Sequence, residues 1–196
     1  MTIRERFKAE FARALRNFRY ERTGAGIYFP AQKMSFGGVF STSVDGGAWS
    51  PKWHNTVALE NLDAMLSCYL NNGSTPIPTG FFVAPFVNNV APTSSLTAAT
   101  FAATQGEWTG YTQSTRVQWT PNGPSSGQTM SNSTAPATFT VGATAATVYG
   151  AAVIATASAK GATTGTLVGA ALFGAANTLN PGSTLQVQYS LSATAS

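Results

Sequence analysis

Few side chains in this sequence can do chemistry, and the densest group lies in GEWTGYTQSTRVQWTPNGP, residues 106–124. Trp108, Tyr111 and Trp119 surround a lone arginine, Arg116, and Glu107 is the only acid beyond Asp63. Aromatic faces beside a cation can stack on a sugar ring or a nucleobase. The same residues can equally form the packed wall of a β-sandwich. Alternation along TRVQWT sets Arg116, Gln118 and Thr120 on one face and Val117 with Trp119 on the other. That predicts Trp119 in a core and Arg116 pointing outward, with Trp108, Tyr111 and Arg116 as a candidate surface cluster. A sugar site also needs placed carboxylates or amides, and only Glu107, Gln113 and Gln118 are at hand. The structural wall is therefore the favoured reading.

Catalysis finds little to work with. General acid–base or nucleophilic chemistry needs titratable groups that converge. His54, in WSPKWHNT, is the only histidine. A triad with Asp45 and a serine has no nucleophile motif behind it, so His54 reads as a capping or packing residue. One His and one Cys do not close a zinc site, and Cys68 reads as a small buried apolar residue on a helix. A glycosidase needs two placed carboxylates, and Glu107 would have to borrow Glu60 or Asp63. No P-loop lysine motif and no GxGxxG occurs. The expectation is a chain that is not an enzyme and holds no cofactor or metal.

The elements that must position these residues follow from composition and pattern. Charged residues make up 9% of the 196, against roughly 25% in a typical soluble domain. Such a surface is poorly protected against association, which points to life within an assembly and to a homo-oligomer. Residues 1–22 carry seven Lys/Arg against Glu5, Glu10 and Glu21, a net +4, and the remaining charges cancel. Any electrostatic partner belongs at that end. The segment TIRERFKAEFARALRNFRYER aligns Ile3, Phe7, Phe11, Leu15 and Phe18 in one helical stripe, with Thr2 and Glu5 at capping-box spacing and Gly24 as a stop. Its interleaved glutamates and arginines look like a solvated helix face. A protein groove is the favoured partner; nucleic acid and membrane are disfavoured. The arginines also exclude a signal peptide, and the apolar run at 145–159 is too short for a span.

Residues 24–55 show no period and read as an extended aromatic arm. A second helix is predicted on Val57, Leu59, Leu62, Met65, Leu66, Tyr69 and Leu70, capped by Asn55 or Thr56 and ended by Asn72-Gly73. Beyond it, strands are predicted at 81–87, 97–103, 107–111, 115–120, 136–141, 146–156, 166–173 and 184–192. The expected fold is mainly β: an antiparallel β-sandwich or jelly roll over 74–196, a helix at 56–73, and a helix plus anchoring arm at 1–55.

Several blocks carry a further likeness: LENLDAMLSCYLNNG, FFVA, LTAATFAATQGEWTGYTQSTRVQWT, SNSTAPATFTVGATAATVYGAAVI and ATTGTLVGAALFGAANTLNPGSTLQVQYSLSA. Together they span residues 59–192 and resemble a family of small structural proteins encoded by tailed bacteriophages. The resemblance implies a virion component, with capsid decoration or cement as the expected role and the major capsid protein or other virion subunits as partners. A neck or tail adaptor and a glycan-binding attachment module are the alternatives. Residues 1–55 depart from the family pattern. They supply the expected anchor: Phe7, Phe11, Leu15 and Phe18 on the helix, then Tyr28, Phe29, Phe36, Phe40 and Trp49 on the arm.

Overall fold

The structure, a computed structural model, describes residues 20–22, 28–30, 34–70, 76–123 and 127–195. Two compact units divide the chain, residues 1–35 with 193–196, and residues 36–192. In the first, β1 (Tyr20–Arg22) and β2 (Tyr28–Pro30) pair antiparallel, with Tyr20 opposite Pro30. The helix predicted over residues 2–22 lies outside the described residues except at Tyr20–Arg22, which form β1 and not a helical turn because they pair with Tyr28–Pro30.

The larger unit is mainly β, built from two sheets. One has the order β5 (Thr56–Val57), β11 (Thr166–Leu179), β10 (Ala146–Ala155), β6 (Phe81–Phe86) and β7 (Val117–Gln118), with antiparallel pairing throughout. The other has the order β4 (Trp53–His54), β3 (Met34–Val44), β12 (Thr184–Ala195) and β8 (Thr129–Ser131). There β9 (Ala137–Thr140) pairs with Thr184–Val187 of β12, and β8 with its later part, Ser190–Ser192. Among the described residues two short helices occur, α1 (Leu59–Leu70) and α2 (Ala98–Phe101).

Side-chain alternation on β10 explains how the first sheet is used. Ala151, Val153 and Ala155 join Val83 and Val168 in a core shared with Phe40, Phe139, Leu185, Val187 and Tyr189 of the other sheet. Ala152 and Ile154 point the opposite way, into a second core with Ala84, Phe86, Leu96, Phe101 and Leu167. A strand buried on both faces must read as an unbroken apolar run, and AAVIA does. The second core closes because Gly150 has no Cβ, which would otherwise fall on the Phe86 ring and the Ala171 carbonyl.

Five expectations need correcting. Residues 36–55 are not an arm: β3 and β4 belong to the second sheet, and Phe40 is fully buried, its ring 4.4 Å from that of Tyr189. The cause is tertiary. Asn55 accepts the Gly38 N–H at 2.6 Å and donates to the Tyr189 hydroxyl at 3.0 Å, tying the segment to β12. Asn55 and Thr56 therefore do not cap α1, which starts at Leu59, and Thr56 lies on β5 instead.

The predicted strand at 97–103 is α2, followed by a π-helical turn, Ala102–Gly106. Thr97 and Thr100 form a reciprocal capping box there, a start signal that outweighs the β propensity of threonine. Residues 107–111 make only isolated bridges, Phe86 with Glu107 and Tyr111 with Val141. Finally, β11 runs to Leu179 and not to 173, because residues 173–176 bulge out opposite Tyr149 and pairing resumes at Asn177.

Candidate functional site

Glu107 follows the π-helical turn, whose last residue, Gly106, takes a left-handed φ of 65° where a Cβ would strike Asn88. Arg116 immediately precedes β7 and donates its backbone N–H to the Ser158 carbonyl at 2.7 Å. These placements bring the two charges together inside the protein. Arg116 Nε reaches Glu107 Oε1 at 2.8 Å and Nη2 reaches Oε2 at 2.6 Å, a bidentate fork. The remaining donors are used as well: Nη1 to the Ala157 carbonyl at 2.9 Å and Nη2 to the Ala162 carbonyl at 3.0 Å. The Gly161 N–H completes the Glu107 carboxylate at 3.1 Å. Both side chains are almost wholly shielded, 0% and 1% exposed. The carboxylate and its guanidinium together staple the 157–162 turn.

The aromatics around it are buried too. Trp108, Tyr111 and Trp119 are each 6% exposed or less. The Trp108 and Tyr111 rings pack on Phe139, at 6.4 and 4.9 Å, and Trp119 Nε1 donates to the Tyr189 carbonyl at 3.0 Å. Lys160 closes the outside, with Nζ 3.8 Å from the Tyr111 ring centroid and donating to the carbonyls of Thr109 and Tyr111 at 3.1 and 2.7 Å. Burial, with the Glu107 charge in second place, holds the Tyr111 phenol well above its ordinary range. Trp108, Tyr111 and Arg116 are therefore no surface cluster. Arg116 points inward because it lies just outside the two-residue strand whose alternation predicted otherwise.

Two more carboxylates act as hydrogen-bond hubs. Glu60 Oε2 accepts the N–H groups of Ala98, at the start of α2, and of Leu167 on β11, both at 2.8 Å. Asp45 Oδ1 accepts the Thr184 N–H at 2.6 Å, and that bond lowers its pKa from the ordinary value. His54 is exposed on β4. Among the described residues no three His, Cys, Asp or Glu side chains cluster as metal ligands, and no helix is long and apolar enough to cross a membrane.

The feature that sequence reasoning missed is a pocket of about 660 Å³ between α1 and the sheet ends. Asn61, Met65, Cys68, Ile77, Phe81 and Leu191 are among the residues lining it, and no charged side chain does. Its walls come from four separate parts of the chain, so only the helical face of α1 was readable in advance. Ile77 of its lining is 78% exposed, and on the opposite face of α1 Leu59 and Leu66 are 52% and 59% exposed. Of the expected anchors, Phe36 is half-buried, Phe40 is core and Trp49 is exposed. Tyr28 and Phe29 lie on β2, while Phe7, Phe11, Leu15 and Phe18 lie outside the described residues. A scan of the chain against protein-family models gives no match, and a search of curated proteins gives none either.

Proposed function

We propose that the chain is a non-enzymatic structural subunit of a virion, a capsid decoration or cement protein. In this reading the two sheets are the layers of an antiparallel β-sandwich of jelly-roll type, and residues 1–22 fasten it to neighbouring subunits. The placement in a phage particle rests on the resemblance of residues 59–192. The role rests on where the charges lie. In the body Glu107, Arg116, Glu60, Asp45 and Lys160 are all taken up by internal hydrogen bonds, while residues 1–22 hold a net +4 beside an apolar stripe.

Phe7, Phe11, Leu15 and Phe18, with Tyr28 and Phe29, are the anchor, and Phe36, Phe40 and Trp49 belong to the body and no longer to it. Burying a Phe or Leu contributes about 1.5–3 kcal/mol, and ordering the segment offsets part of that. Repetition over many copies makes a modest net gain sufficient. Deleting residues 1–22 is expected to abolish binding to particles and leave the cooperative unfolding of the body in place, measured by co-sedimentation and thermal melting. Full binding by the truncated chain would sink the anchoring role.

A further inference from the structure

We propose that copies of this chain associate through a crossed contact on the body: the outer face of α1, with Leu59, Asp63 and Leu66, receives Trp49 and Lys52 of a second copy. The contact uses none of residues 1–22, so it stands apart from the anchor.

The charges of the body single out the two patches. Residues 36–192 hold Asp45, Lys52, Glu60, Asp63, Glu107, Arg116 and Lys160. All but Lys52 and Asp63 are held by hydrogen bonds inside the body. Lys52 and Asp63 are exposed, and among the described residues the one salt bridge is that of Glu107 with Arg116. They are opposite in sign, and each stands beside large apolar side chains open to water. Trp49, three residues before Lys52, is 41% exposed, and Leu59 and Leu66 on either side of Asp63 are more than half exposed.

Local structure presents both patches. Leu59, Asp63 and Leu66 recur at i, i+4 and i+7, so they share one face of α1. Trp49 and Lys52 lie on the connection from β3 to β4. Ser50 pins that connection: its N–H reaches the Thr42 carbonyl and its hydroxyl accepts the Thr42 N–H, both at 2.8 Å. A loop fixed in advance loses little entropy when its aromatic side chain is covered, and Trp is enriched at the cores of interfaces.

The partner follows from sign. α1 on α1 opposes Asp63 to Asp63, and loop on loop opposes Lys52 to Lys52; the crossed pairing opposes unlike charges. The two patches of one molecule stand apart. Trp53, next to Lys52, stacks on Phe173 at 4.8 Å, whereas α1 shares its pocket with Thr166 and Val168. From Val168 to Phe173 β11 runs about 17 Å. The Lys52 that meets Asp63 is therefore another molecule's.

Sedimentation equilibrium of the full-length chain at low ionic strength tests this. Wild type is expected to self-associate. Lys52→Glu and Asp63→Lys are each expected to weaken association at least about tenfold and to leave Tm unchanged, because both sites are exposed. Lys52→Glu/Asp63→Lys restores opposite signs and is expected to recover association, as is an equimolar mixture of the two single variants. Leu66→Ser is expected to weaken it without a charge change. A monomeric wild type overturns the proposal, as does association that neither single variant alters. A double variant and a mixture as weak as the single variants overturn it too, because the two side chains would then not face each other.

Discussion

Removing the Arg116 guanidinium leaves Glu107 without its counter-ion where water does not reach. Breaking a buried pair from one side costs about 3–5 kcal/mol, while replacing both partners with apolar groups of similar volume is often close to neutral. Arg116→Ala is therefore expected to lower unfolding free energy by that amount in urea titrations, and Glu107→Leu with Arg116→Met to recover most of it. An unchanged urea midpoint for Arg116→Ala would mean that the fork stabilises nothing.

Asp45 gives the acid response its sign. Its carboxyl sits below the ordinary 3.8 because the Thr184 N–H bonds to the charged form. The unfolded chain then binds the proton more tightly, so the contribution is present above pH 3.8 and is lost as pH falls through the folded value. Asp45→Asn is expected to flatten this part of the stability–pH curve, and parallel curves for the two proteins would exclude the effect. Neither role was legible in sequence. The partners of the Arg116 side chain other than Glu107 lie 41 and 46 residues away, and no local pattern encodes a loop carbonyl at that distance.

At the scale of elements, legibility followed local pattern strength. TLQVQYSLSA alternates cleanly and AAVIA is an unbroken apolar run, and both are strands. MSFGGVFSTSV hides its period behind two glycines and buries polar Ser41, Thr42 and Ser43. It is a strand because β12 and Asn55 hold it, and those lie elsewhere in the chain. LTAATFA misleads in the other direction: Thr residues favour strands, but buried Ala98, Phe101 and Gln105 recur at helical steps. Thr97→Ala removes the side-chain oxygen that accepts the Thr100 N–H at 3.3 Å. It is expected to cost about 0.5–2 kcal/mol, read as a drop in Tm. A Tm equal to wild type would show that tertiary packing on Phe86 alone holds α2.

Across the whole molecule, the body of residues 36–192 combines few charges with short sheet edges. The outer strands β4, β5 and β7 have two residues each and β8 has three. Where that body begins was not legible in the charge distribution. The sequence placed the boundary near residue 55, whereas the compact body begins at Phe36.

The central claim is that this chain is a virion subunit spread over a capsid. Its most direct test is the number of copies per major capsid subunit in purified particles of the encoding phage, measured by quantitative mass spectrometry. The account predicts a ratio near one or a simple fraction of it. A number fixed at about a dozen per particle, the multiplicity of a ring at a single vertex, would move the protein to the neck or tail, and absence from particles would contradict the virion reading altogether.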